Sequence, residues 1–177
     1  MTDYSSARAR VTTIVLLLAA FATACRAPAR VPPDLSTRPP EVVVAAPDTA
    51  GESVVVRTNV ERRKLGLPEL GRSKQLIHAA QLQANQMAAA LTMSHELPRA
   101  RYRTMNDRLA AVGYSYHAAG ENIAEGYASA ASVVAGWMTS PGHRANIVSR
   151  RYSEMGGAVA TGKNGRRFWA QVFGSPR

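Results

Sequence analysis

Proline placement divides this chain before any motif is read. Six of the ten prolines fall between Arg26 and Ala50, with alanine, arginine and threonine between them. Such a stretch cannot bury enough apolar surface to offset the entropy of ordering it, and it favours extended polyproline geometry. At about 3.1 Å per residue it would reach about 75 Å at most, a semi-rigid tether over residues 25–48. Its one strand-like run, Val42-Val43-Val44, could add to a domain edge. A single folded domain is predicted over residues 49–177, long enough for one core.

The segment ahead of the tether reads as an export signal over residues 1–24. Arg8 and Arg10 supply a positive start, and the 14 residues Val11 to Ala24 carry no charge. That is short of the roughly 20 apolar residues of a spanning helix but ample for a signal peptide. Ala22-Thr23-Ala24 then places small residues directly before Cys25, in the manner of a lipobox with Ala where Leu is usual. Cys25 is expected to become a lipid-bearing first mature residue, the domain standing off a membrane. If the cell has an outer membrane, Arg26 rather than Asp after the cysteine suggests sorting to it. An ordinary cleavage site leaving a free thiol is the alternative.

Cys25 is also the sole cysteine, so no internal disulfide can form and packing alone must hold the core. Formal net charge is +10, and Arg8, Arg10 and Asp3 of the leader account for one unit of it. The cations are scattered over several elements rather than interleaved with aromatics on one face. Nucleic acid is therefore not the expected partner; anionic lipid head groups or cell-wall polymers are.

Within the domain, Thr49-Ala50-Gly51-Glu52 fits a capping box, followed by Val55, Val56 and Val60 at helical spacing and a stop at Gly66. Ser73 caps a second helix with the stripe Leu76, Ala80, Ala84, Met87 and Leu91. A third runs near Thr104 to Val112, with Met105, Leu109 and Val112 inward and Gly113 closing it. A fourth centres on Val133, Val134, Trp137 and Met138. Ser140-Pro141 restarts a helical turn, Ser as N-cap and Pro at the first position. Gly120 to Ala124 is a short strand candidate. Met155–Thr161 and Arg166–Phe173 flank Gly162-Lys163-Asn164-Gly165, a hairpin signal. Phe168, Ala170 and Val172 share one strand face and Trp169, Gln171 and Phe173 the other, so the sheet should be covered on both sides. That order of elements predicts an α+β fold.

Four histidines are available for chemistry. His78 should face solvent, and His117 sits in a loop-like stretch. His95 directly follows the second helix. His143 lies in the first turn of the Ser140-capped helix, where an added positive charge is disfavoured, so it should stay neutral near pH 7. Glu121 on the short strand would be the negative partner. Nucleophilic catalysis lacks support: Gly-x-Ser-x-Gly is absent, and Ser94 and Ser140 only neighbour histidines in sequence. His95-Glu96-Leu97-Pro98-Arg99 excludes a His-Glu-x-x-His metalloprotease, because Arg stands where the second histidine belongs.

Ser94-His95-Glu96, Gly120-Glu121-Asn122-Ile123-Ala124, Ser140-Pro141-Gly142-His143-Arg144-Ala145-Asn146-Ile147, Asn59-x-Glu61-Arg62 and the closing Phe168-Trp169-Ala170-Gln171-Val172-Phe173-Gly174 together resemble the CAP superfamily. That family is named for cysteine-rich secretory proteins, antigen 5 and pathogenesis-related class-1 proteins. The resemblance, to the cysteine-poor bacterial branch with its SCP domain, implies a three-layer α-β-α sandwich over residues 52–174. It implies a ligand-binding cleft of His95, Glu121 and His143, with Asn59, Glu61 and Arg62 orienting the packing around it. The second acid of the family's tetrad is missing; where eukaryotic members place Glu, three residues after the tryptophan that Trp137 resembles, stands Ser140. Asn122 and Asn146 are read as backbone-satisfying amides.

His95 and His143 could hold a divalent metal such as zinc, with Glu121 beside them. The leading expectation is an exported, lipid-anchored envelope protein that binds an extracellular or envelope ligand, a lipid or an anionic polymer, in this cleft. A metal-assisted hydrolase using Glu121 as base or ligand and a non-catalytic structural protein are the alternatives, with binding preferred to catalysis. Glu121→Ala is expected to weaken binding more than stability.

Overall fold

The computed structural model describes residues 50–177, apart from the side chain of Glu52. The leader, Cys25, the tether, Val42–Val44 and the Thr49 capping box lie outside the described residues. Five helices and four strands follow: α1 Ala50–Lys64, β1 Gly71–Arg72, α2 Lys74–Ala90, α3 Met105–Ala111, β2 Tyr116–Glu125, α4 Ala130–Thr139, α5 Pro141–Val148, β3 Glu154–Thr161 and β4 Arg167–Pro176. The strands form one sheet in the order β1-β3-β4-β2. β4 is antiparallel to both β2 and β3, and β1 runs parallel to β3. No helix among the described residues is long and apolar enough to cross a membrane.

Two cores sit on opposite faces of the sheet. Phe168, Ala170 and Val172 of β4 pack with Leu76, Ala80, Ala84 and Met87 of α2 and Leu109 of α3. Trp169 and Phe173 pack instead with Val54 of α1, Val133, Val134 and Trp137 of α4 and Ile147 of α5. The period-2 alternation of one strand thus feeds both layers of an α-β-α sandwich. β3 can be squeezed between them because it carries Gly156 and Gly157. A Cβ on Gly156 would lie 2.1 Å from the backbone N of Ile77 in α2, and one on Gly157 2.8 Å from the carbonyl of Gly51 in α1.

Local signals govern the element ends. Gly66 adopts φ +65°, and the amides of Leu67 and Gly66 return 3.0 Å bonds to the carbonyls of Arg62 and Arg63, a Schellman close. Ser73 caps α2 through the Leu76 amide. Thr104 and Asp107 form a reciprocal capping box on α3. The hairpin turns through Gly165 at φ +78°, with its amide bonded to the Gly162 carbonyl at 2.9 Å.

Three expectations need correction. The apolar phase of α1 was placed on Val55, Val56 and Val60, yet Val56 is 55% exposed; the buried face is Val54, Val55, Thr58, Asn59 and Arg62. Three of those five residues are polar, so hydrophobicity alone misplaces it. β2 starts at Tyr116 rather than Gly120, which puts His117 on a strand, because β4 runs on to Pro176 and supplies partners for the extra residues. The two-residue β1 has no periodicity to reveal it; parallel pairing with Glu154 and Met155 of β3 defines it, and Asn59 holds the preceding Leu70 by bonding both its amide and its carbonyl at 3.0 Å.

Candidate functional site

The site is assembled at the edge strand β2 from elements held by buried polar side chains. Arg62, fully buried on α1, donates to the carbonyls of Pro68 at 2.8 Å, Ile147 at 2.7 Å and Ser149 at 2.8 Å. The last two lie at the C-terminal end of α5, where a cation is favoured by the helix dipole. Asn59 and Arg62 therefore orient the packing, whereas Glu61 only pairs with Lys64 on the surface. Trp137 ties α4 to β2 through a 3.1 Å bond from its indole to the Ile123 carbonyl.

The segment after α2 is held just as firmly. Leu91 ends the helix at φ 52°, left-handed backbone that is costly for a branched residue. Gln83 then donates to the Ser94 carbonyl at 2.7 Å. Gln86 bonds both the amide and the carbonyl of Tyr102 at 3.0 Å. Between these anchors His95 points outward.

Nδ1 of His95 lies 2.9 Å from Oε1 of Glu121, with the His95 side chain 55% exposed and that of Glu121 only 3%. The other carboxylate oxygen accepts a 2.8 Å bond from Nη2 of Arg108, whose side chain is 0% exposed. Both oxygens of Glu121 are thus engaged. On α5, Nδ1 of His143 lies 3.0 Å from Oγ of Ser140. Ser140 occupies the N-cap position of α5 but makes no side-chain bond to the helix amides. Its position was foreseen, and its hydroxyl serves the histidine instead.

His95 and His143 are electrostatic neighbours. The His143 pKa is lowered first by burial and then by the positive charge His95 would carry. The direction agrees with the sequence expectation, although the helix end was the cause offered there. Because folding withholds a proton that the unfolded chain binds, this group lowers stability as pH falls below its ordinary value of 6.5. The denaturant midpoint of wild type should drop more between pH 7 and pH 5 than that of His143→Gln. Parallel drops would mean that His143 does not couple to folding.

Two asparagines brace the floor. Nδ2 of Asn146 donates to the Glu121 carbonyl at 3.2 Å and to Oδ1 of Asn122 at 2.9 Å. Asn122 in turn donates to the His143 carbonyl at 3.1 Å. The two amides link α5 to β2 and satisfy backbone carbonyls, as their residue type suggested. Gly120 leaves room for this brace: a Cβ there would lie 2.4 Å from the Tyr152 hydroxyl.

The three sequence-derived residues are therefore linked in one cluster: Glu121 bonds His95 directly, and the two asparagines join its strand to the helix that carries His143. Sequence reasoning missed Arg108 beneath it and Tyr152 beside it. The signal for Arg108 was present: with Met105, Leu109 and Val112 it completes an inward i, i+3, i+4, i+7 stripe, and a lone cation in such a stripe demands a buried partner.

As a metal centre the donor set is short. Among the described residues no group of three or more His, Cys, Asp or Glu side chains could hold an ion. The Nδ1 atoms of both histidines and both Glu121 oxygens are already bonded, which leaves two imidazole Nε2 atoms. A resident zinc takes at least three protein donors.

The model of the CAP, or cysteine-rich secretory protein, family matches residues 55–173. The uncharacterized protein YkwD of Bacillus subtilis (strain 168) is 36% identical over 123 residues, spanning 69% of this chain and 46% of its own length. The uncharacterized membrane protein YlbC of the same organism is 30% identical over 125 residues, spanning 71% of this chain and 34% of its own. This chain thus spans less than half of either curated relative. Among solved structures, an extracellular SCP-domain protein from Bacillus anthracis aligns over 71% of this chain and 40% of its own, with TM-score 0.63 and 27% identity. An outer surface protein from Borrelia burgdorferi, at 22% identity, shares the fold with TM-score 0.63 over 70% of this chain and 90% of its own.

Proposed function

The chain belongs to the CAP family of cysteine-rich secretory proteins, and on that premise we propose that it is an exported protein whose CAP domain binds an envelope or extracellular ligand through the His95–Glu121–His143 cleft. The observation that carries this reading is the exposed His95 ring fixed at 2.9 Å by a carboxylate that is itself buried. A side chain that served only packing would not be held rigid while left open to solvent. The extracellular SCP-domain protein of Bacillus anthracis supports the location. The formal charge of +10 supports an anionic polymer or lipid surface as the setting. The full chain should be retained on isolated cell-envelope material at least tenfold more than the folded His95→Ala plus His143→Ala variant. Equal retention would remove the cleft from the function.

A divalent ion entering this cleft would be held by Nε2 of His95 and Nε2 of His143, with Glu121 behind His95 as its orienting carboxylate. Bound there it would act as a Lewis acid toward a ligand oxygen. Two protein donors favour an exchangeable ion. No specific observation favours the hydrolase alternative: the Glu121 side chain is only 3% exposed, and its two oxygens accept from His95 and Arg108.

We further propose lipid attachment at Cys25, resting on the small residues before it and the uncharged stretch ahead of them. Radiolabelled palmitate should enter wild type and not Cys25→Ser. Undiminished labelling of the variant would eliminate the anchor.

A further inference from the structure

Among the described residues, Arg108 is the one side chain bonded to both His95 and Glu121. Its Nη2 donates to Oε2 of Glu121 at 2.8 Å and lies 3.4 Å from the carbonyl of His95 itself, while Nη1 lies 3.4 Å from the carbonyl of Tyr102. The guanidinium therefore grips the carboxylate and the backbone of the loop that carries the imidazole. Its fork geometry decides what Glu121 does: a guanidinium has only donors, so Oε2 accepts from Arg108 and Oε1 is held facing His95 as an acceptor. An acceptor 2.9 Å from Nδ1 of His95 requires that nitrogen to be the donor. In the neutral ring the remaining nitrogen, Nε2, is then left with its lone pair.

We propose that Arg108 is the positioning residue of the cleft: it sets the tautomer of His95 so that Nε2 faces the opening as a hydrogen-bond acceptor, and the cleft selects ligands that present a hydrogen-bond donor such as a hydroxyl group. The selection rests on the reading of the cleft as a binding site; the tautomer does not. Arg108 makes no use of solvent and borders no surface, so it acts only through Glu121 and His95. The unbonded Nε of this buried guanidinium fits the same account. Arg108 forgoes one of its own bonds in order to span the carboxylate and two loop carbonyls.

The test is the ring ¹⁵N spectrum of His95 in the full chain, at a pH where imidazole is neutral, for wild type, Arg108→Lys and Arg108→Met, with circular dichroism reporting the fold. Wild type should show the protonated nitrogen at Nδ1. Arg108→Lys keeps a cation against Glu121 and should retain that pattern. Arg108→Met should lose it, the proton moving to Nε2, the site a free imidazole side chain prefers. A folded Arg108→Met with the wild-type pattern would overturn the proposal. So would a wild-type ring protonated at Nε2, which decides the matter even if Arg108→Met fails to fold. None of these spectra requires the natural ligand, so a failure of envelope binding leaves them unaffected. Conversely, a confirmed tautomer with no envelope binding would reject only the selection.

Discussion

Replacing Gly156 with valine should leave the chain largely unfolded. The added Cβ would sit 2.1 Å from the Ile77 amide nitrogen and 2.3 Å from the Leu76 carbonyl carbon, which are backbone atoms of α2. No rotamer change can relieve overlap with backbone, so α2 would have to lift off the sheet. Leu76, Ala80, Ala84 and Met87, all fully buried, lie along that contact. Overpacking usually costs about 1–3 kcal/mol, but a clash that separates a main helix from the sheet belongs with the exceptional losses of roughly 4 kcal/mol or more. A single domain has about 5–15 kcal/mol in all. Gly142 provides the contrast: it lies in α5, and a Cβ there meets nothing within 4 Å. Gly142→Ala should be neutral or stabilising by up to about 1 kcal/mol. Guanidinium titration followed by circular dichroism measures both. A Gly156→Val midpoint close to wild type would mean that β3 and α2 are not packed as described.

Glu121→Ala should cost about 3–5 kcal/mol, the range for breaking a buried ion pair from one side. Arg108 would keep its charge with no solvent access and lose the carboxylate that it pairs with at 2.8 Å. The sequence alone points to a binding effect from this substitution; the structure adds a large stability cost. The physical reason is burial, which the sequence does not display. His95→Ala removes the other partner of the same carboxylate and should cost less than about 1 kcal/mol, because a 55% exposed imidazole is screened by water. Thermal and denaturant unfolding of the two variants would test the asymmetry. If Glu121→Ala melts within a degree or two of wild type, Arg108 is not the buried cation described.

The candidate site was legible to the extent that its members sit at element ends. His95 follows the end of α2, and His143 lies within the first turn of α5, positions given by caps and apolar periodicity. Glu121 lies on a strand whose short apolar run, Ile123-Ala124, is plain in the sequence. Ser140 was legible as an N-cap and misleading as one, since its hydroxyl had two acceptors or donors within reach and took the histidine. Arg108 was passed over because only the apolar members of the α3 stripe were counted.

What the sequence determined by itself was a set of stops, turns and facings fixed by near neighbours along the chain. Helix stops at Gly66 and Gly113, the hairpin at Gly165 and the two-sided packing of β4 all follow from backbone sterics and side-chain period. What only the tertiary structure decided was which charges are shielded from water and which side chains meet across elements. Arg108 on α3 and Glu121 on β2 are separated by a turn whose angle depends on how α3 packs beneath the sheet, and their 2.8 Å contact is a consequence of that packing. Local rules place a side chain on a face; the dielectric around it, and hence what its charge does, is set by the rest of the fold.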